Sequence, residues 1–209
     1  MRRMIAVLLL TGVIGWMLSA SAAEPFHVAA KGAVLIDADS GLVLFAQNAD
    51  RRLPMASTTK VMTTLLALEN AKLDEMVTAG KNAAGVPGTS LYLSRGETLS
   101  MEHMLYGLML RSGNDAAVAV AEHIAGSVSA FADMMNAKAE ALGANAHFVN
   151  PHGLDADGHG ISDLGLALVM RAAMQNEAFR KITDLGLAAA KRLGHVLRLG
   201  RSGVGDDGQ

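Results

Sequence analysis

The chain has 209 residues, 51% hydrophobic and 18% charged, with a mean hydropathy of +0.28 and no cysteine. That is enough for one globular domain with a sizeable core. The formal net charge is −2, falling to about −4 without the first 23 residues, which argues against a nucleic-acid partner, and without cysteine no disulfide can support the fold, so side-chain packing must.

Arg2 and Arg3 precede an uncharged run from Met4 to Leu18, and Ser19 to Ala23 are all small. This is the pattern of a secretory signal peptide cleaved after Ala22 or Ala23. The run is short for a membrane span of about 20 residues. Its removal takes the basic residues from 18 to 16 against 20 acidic ones, a mature net charge of about −4, and removes the only tryptophan, Trp16.

Ala33–Asp37 and Leu42–Ala46 flank Asp39-Ser40-Gly41, which predicts a hairpin. Asn48–Pro54 reads as a polar connection into a helix over Val61–Glu69, with Leu65, Leu66 and Leu68 buried. Lys72–Glu75 and Lys81–Thr89 are polar or Gly-rich and read as loops. Ser100 opens a helix with Met101, Met104, Leu105, Leu108 and Met109 on one side, ending at Arg111-Ser112-Gly113-Asn114. An Ala-rich helix follows from Asp115 to about Ile124, stopped by Gly126. Ser129–Leu142 forms another, with Phe131, Met134, Met135 and Leu142 inward and Gly143 as its terminator. Phe148–Gly160 is a loop, Ser162 caps a helix over Leu164–Met174, and Glu177–Ile182 adds a turn or two. From Asp184 the text changes to Leu, Gly and basic residues. Lys191, Arg192, Arg198 and Arg201 leave open a basic helix in peripheral contact with a membrane, whereas the glycines and polar finish read as a poorly ordered end.

The chemistry is carried by Ser57-Thr58-Thr59-Lys60. Ser57 falls at or near the N-terminus of the first helix, where free N–H groups favour developing negative charge, and Lys60 lies one turn along the same face. A serine hydroxyl is a poor nucleophile until a neighbouring amine of lowered pKa takes its proton. Alone the spacing is only a helix cap and a surface lysine. Its value comes from Ser112-Gly113-Asn114 about fifty residues on, which by itself would be a helix-to-helix turn with an Asn cap. His147, His152 and His159 with Asp155 and Asp157 match no standard zinc spacing and read as a solvated loop. His103 and His123 read as surface or half-buried side chains.

Four segments together resemble one family: Pro54–Lys60, Gly88-Thr89-Ser90, Gly107–Ala117 and Phe148–Leu154. The family is the low-molecular-weight penicillin-binding proteins, the serine-type D-alanyl-D-alanine carboxypeptidases of peptidase family S11. The Asn150-Pro151-His152-Gly153-Leu154 loop favours it over class A β-lactamases. The resemblance implies an α/β fold of the serine β-lactamase and penicillin-binding-protein type, a helical subdomain with an antiparallel sheet. It implies that Ser57 is the acylated nucleophile, Lys60 its general base, Ser112 a proton relay to the leaving D-alanine, and Asn114 a hydrogen-bond partner of the substrate amide. The Ser57 backbone N–H would supply part of an oxyanion hole. No cofactor or metal is implied. The implied partners are peptidoglycan stem peptides, with β-lactam antibiotics as covalent inhibitors, met in the periplasm or at the outer face of the cytoplasmic membrane.

The family's third motif, Lys-Thr-Gly, does not occur, and Arg201-Ser202-Gly203 is only a chemical look-alike. The expected organisation is a leader over 1–23, an incomplete peptidase domain over 24–183 and a divergent tail over 184–209, the ending of a truncated or out-of-frame product. The sheet would then be left incomplete, with an unpaired edge. Three other readings stand beside carboxypeptidase action: a D,D-endopeptidase using the same residues, a β-lactamase, and a catalytically inactive fragment that at most binds cell-wall peptides.

Overall fold

The computed structural model describes residues 27–184. The expected leader, the Arg201-Ser202-Gly203 look-alike and all of the expected tail beyond Asp184 lie outside the described residues. The chain divides into two units, Met1–Ala30 and Lys31–Gln209. Of the first, only residues 27–30 are described, closed by an Ala30 N–H to Val28 C=O hydrogen bond of 2.8 Å. Every strand and helix among the described residues belongs to the second.

The hairpin forms where its pattern places it. Strands β1 (Ala33–Ile36) and β2 (Val43–Gln47) pair antiparallel with a register irregularity at Leu35/Ile36. Asp37 organises the turn, its Oδ1 accepting from the Ser40 N–H at 2.7 Å and the Ser40 hydroxyl at 2.6 Å, while Gly41 takes φ +78°. These hydrogen bonds, the Ser40 hydroxyl's first, hold the Asp37 carboxyl below its ordinary pKa. Arg171 fastens the turn from outside, donating to the Ala38 and Asp39 carbonyls at 2.8 and 2.6 Å.

Five helices carry the middle of the chain: α1 (Thr59–Asn70), α2 (Met101–Leu110), α3 (Asn114–Ala125), α4 (Val128–Ala141) and α5 (Asp163–Ala173). Helical backbone resumes at residue 177 and runs to residue 184. The expected caps are in place. Ser100 accepts from the His103 N–H, Ser162 from the Gly165 N–H, and Gly126 ends α3 in the left-handed region. For α4 the cap is Ser127, two residues before the expected start.

Helix α1 is the shared wall of the interior. Its residues from Thr59 to Ala67 are all buried. On one side Val61, Met62, Leu65 and Leu66 pack with Phe131, Met135, Phe148, Val169 and Phe179. On the other, Ala67 belongs to a second cluster with Met101, Met104, Leu105, Leu108 and Val120. Each such side chain is worth about 1.5–3 kcal/mol of burial. A helix buried all round is therefore the part of the fold hardest to move.

The expectation that only the hairpin supplies strands is corrected. Among the described residues there are five further short strands, none of them in the hairpin's sheet: β3 (Arg52–Leu53), β4 (Met76–Thr78), β5 (Thr98–Ser100), β6 (Ala146–His147) and β7 (Gly160–Ser162). β4 and β5 form an antiparallel ribbon that runs directly into α2. β7 is the middle of a three-stranded sheet between β3 and β6. These strands are two or three residues long, too short for a period-two pattern to show. The β3–β7–β6 sheet matters for the site. It ties the strand just before Ser57 to both ends of the 148–159 loop.

The hairpin has no further strand beside it among the described residues. Among the described residues β1 and β2 pair only with each other, and Leu35, Leu42 and Leu44 are 57%, 63% and 58% exposed. Among the described residues no helix is long and apolar enough to cross a membrane.

Candidate active site

Ser57 lies in a short 3-10 turn, Ala56–Thr58, that feeds straight into α1. The turn begins with Ala56 at φ +44°, a strained conformation for a residue with a Cβ, and the loop across from it is made to match. Gly153, at φ +92°, has its Cα against the Ala56 carbonyl, where any side chain would collide. Ser57 is exposed, whereas Lys60, one turn later, is only 2% exposed.

The four residues singled out from the sequence come together. The Ser112 hydroxyl donates to Ser57 Oγ at 2.8 Å, and Lys60 Nζ lies 3.2 Å from the same oxygen. Lys60 Nζ also donates to Asn114 Oδ1 at 2.8 Å and to the His152 carbonyl at 2.7 Å. The ammonium thus has an acceptor for each of its three protons. Those acceptors are neutral, and burial lowers the Lys60 pKa from 10.5 to about 8. A cleft of about 340 Å³ opens beside them, with Ser57, Thr58, Lys60 and Val61 on one wall and Leu108, Met109 and Ser112 on the other.

The second wall is held by Ser112 and Asn114, which the sequence singled out, and by Asp115, which sequence reasoning missed. Ser112 sits at φ +56° in the turn between α2 and α3, which aims its hydroxyl at Ser57. Asn114 is tied to a neighbouring loop, donating from Nδ2 to the Pro87 carbonyl at 2.7 Å and from its N–H to the Thr89 carbonyl at 2.8 Å. Asp115, fully buried, holds that loop. It accepts from the Ser90 hydroxyl at 2.6 Å and from the Leu91 and Leu93 N–H groups at 3.0 and 2.9 Å. Burial is the largest single influence on its carboxyl and pushes the pKa up. The hydrogen bonds from Leu91, Ser90, Leu93 and Ala116 together outweigh it and leave the pKa lowered.

The expectation of a solvated histidine loop is corrected at two positions. His159 is 8% exposed and contacts α1 through Thr59 Oγ1 at 3.0 Å. His152 is half-buried, and burial, then the charges of Lys60 and His159, push its pKa down to about 4. His103 and His123 are exposed, the latter paired with Glu75 at 3.2 Å.

Known proteins are similar to this chain over most of its length. The peptidase S11 family model, described as D-alanyl-D-alanine carboxypeptidase, matches residues 19–186. D-alanyl-D-alanine carboxypeptidase DacF of Bacillus subtilis is 41% identical over 160 residues, 74% of this chain and 41% of that one. DacA of Escherichia coli K12 is 41% identical over 162 residues, 72% of this chain and 40% of its own length. The chain thus spans about two-fifths of the length of these relatives. Among solved structures, the D-alanyl-D-alanine carboxypeptidase of Mycobacterium tuberculosis superposes with a TM-score of 0.72 at 35% identity, covering 78% of this chain and 63% of that one. A Streptomyces K15 DD-transpeptidase mutant superposes with a TM-score of 0.70 at 32% identity, covering 75% and 65%.

Proposed function

The chain belongs to the peptidase S11 family of D-alanyl-D-alanine carboxypeptidases, and on that premise we propose that Ser57 is acylated by D-alanyl-D-alanine termini of peptidoglycan stem peptides and releases the terminal D-alanine. One observation carries this reading. Ser57 Oγ lies within hydrogen-bond reach of a buried lysine of lowered pKa and of a second serine hydroxyl.

The steps follow from that geometry. Neutral Lys60 takes the Ser57 proton as Oγ attacks the carbonyl carbon of the penultimate D-alanine. The charge that develops on the carbonyl oxygen would be met in part by the Ser57 N–H, in the 3-10 turn that leads into α1. The proton then passes from Lys60 through Ser112 to the amine of the departing D-alanine. Asn114 has its Oδ1 on Lys60 and its Nδ2 on Pro87, so its first task is to fix the base. Contact with the substrate amide is its second. Water, activated by the same lysine, completes the cycle by hydrolysing the acyl-enzyme. β-Lactams mimic the acylating half of this reaction and inhibit covalently.

The location belongs to the same proposal. Residues 1–23 direct export to the periplasm or the outer face of the cytoplasmic membrane, the peptidase domain occupies 24–183, and the tail from 184 contributes at most peripheral membrane contact. N-terminal sequencing of protein recovered from the cell envelope tests this, the expected start being Ala23 or Glu24.

The chemistry is tested by labelling the chain with a fluorescent penicillin. Stable labelling that disappears in Ser57→Ala is the expected result. A chain that is folded by circular dichroism yet unlabelled would overturn the proposal in favour of an inactive fragment. Release of D-alanine from a pentapeptide, against cleavage of cross-linked muropeptides, separates carboxypeptidase from endopeptidase.

A further inference from the structure

The 148–159 loop touches α1 at three successive places on one helix face. Thr59 Oγ1 meets His159 Nε2 at 3.0 Å, Lys60 Nζ donates to the His152 carbonyl at 2.7 Å, and the Thr63 hydroxyl donates to the Pro151 carbonyl at 2.7 Å. The middle contact falls on the base itself. The two outer ones have no part in the reaction as derived, yet they decide where the His152 carbonyl stands.

His159 is the member that closes the loop. Its Nδ1 accepts the Val149 N–H at 3.0 Å, which requires a lone pair on that nitrogen. The ring proton is therefore on Nε2 and is donated to Thr59 Oγ1. One neutral imidazole thus joins the start of the loop, the end of the loop and the residue beside Lys60. Phe148 packs edge-on against the ring, with centroids 6.1 Å apart. Burial first, and then the charge of His147, lower the proton affinity of His159, against Asp155, which raises it. Protonation would turn an N–H toward the Val149 N–H and undo the closure.

We propose that His159, through its hydrogen bond to Thr59, is a positioning residue for Lys60: it holds the 148–159 loop so that the His152 carbonyl orients the amine toward Ser57 and keeps water from it. The proposal rests on the reading of Lys60 as the base, and its test separates the two. Burial is what lowers the Lys60 pKa, so water admitted beside the amine raises that pKa. The pH at which acylation switches on then moves upward.

The experiment measures the rate of acylation of the full chain by a fluorescent penicillin across pH 6–10. The proteins compared are the wild type, Ser57→Ala, His159→Phe, Thr59→Val and Thr59→Ser, each checked for folding by circular dichroism. Thr59→Val keeps the volume and removes only the hydroxyl, so it decides the matter if His159→Phe does not fold. The expected result is acylation about tenfold slower or more in Thr59→Val and His159→Phe, with the rise in rate displaced to higher pH. Thr59→Ser, which restores the acceptor, is expected within about twofold of wild type. Wild-type rates and an unmoved profile in both variants would overturn the proposal while leaving the reading of Ser57 and Lys60 intact. Slower acylation with an unmoved profile would also overturn it, because a general loss of structure does not change when Lys60 becomes neutral. If the wild type is not labelled, or is labelled equally in Ser57→Ala, the reading of the site fails and the proposal falls with it.

Discussion

As the base proposed for Ser57, Lys60 has two obligations that pull against each other. It must be buried to lose its proton near neutral pH, and while charged it must not be left without acceptors. The structure meets both by surrounding it with neutral oxygens from three separate segments: Ser57 on its own turn, Asn114 at the start of α3 and His152 in the loop. With a pKa of about 8, about a tenth of the molecules carry the free amine at pH 7. At the ordinary value of 10.5 the fraction would be roughly one in three thousand. The rate of acylation is therefore expected to rise with pH and to level off above about pH 8, as the lysine passes from its proton-bound to its free form. Single-turnover labelling with a penicillin over pH 6–9.5 measures it, and a rate that is flat or falls across that range would exclude Lys60 as the base. The residues Ser57, Lys60, Ser112 and Asn114 were legible in the sequence because each motif is local, one a helical spacing and the other a helix-to-helix turn, joined by a family resemblance. Asp115 was not. An acid in the first turn of a helix looks like an ordinary complement to the helix dipole, and only the fold shows that its acceptors hold the loop from Ser90 to Leu93.

At the scale of elements, the helices were legible nearly to the residue and the strands beyond the hairpin were not. Helices announced themselves through Ser100, Gly126, Gly143 and Ser162, whose capping or turn chemistry acts within a few residues. Strands β3, β6 and β7 owe their existence to partners distant in the chain, β3 pairing with β7 across more than a hundred residues, and no local pattern encodes that. The loop between β6 and β7 shows the same divide. Its Asn150 and Gly153 read correctly as turn residues, with the Gly153 N–H bonded to Asn150 Oδ1 at 2.7 Å. That the turn abuts the Ala56 carbonyl could not be read. Gly153→Ala is therefore expected to act on the turn bearing Ser57 rather than on the loop alone. It adds a methyl group against the Ala56 carbonyl at a φ of +92°, at a cost of about 2 kcal/mol or more. The turn bearing Ser57 must shift to relieve it. Urea unfolding and penicillin labelling would both fall; unchanged labelling would show that the turn adjusts without moving Ser57.

For the molecule as a whole, the described residues form two well-packed clusters on either side of α1 and, at one rim, a ribbon whose outer surface is apolar. Leu35 and Leu44 belong to that rim and are 57% and 58% exposed. Because they bury little, replacing both with serine is expected to change stability by less than about 1 kcal/mol. Self-association and binding of a hydrophobic dye are expected to drop. Sedimentation and dye fluorescence measure this; a large loss of stability instead would mean that the rim is covered in solution. The burial of α1 from Thr59 to Ala67 has a consequence for descent as well as for chemistry. Ser57 and Lys60, the proposed nucleophile and base, stand at one end of the helix on which both halves of the interior close, so errors that scatter the pair also cost the chain its shape. A lineage carrying this segment cannot drift into a well-built but unreactive version by loosening that helix. Loss of reactivity with the shape kept is instead expected through exchanges at the site itself, at Ser57, Lys60 or the side chains that hold them, such as Ser112 and Asn114.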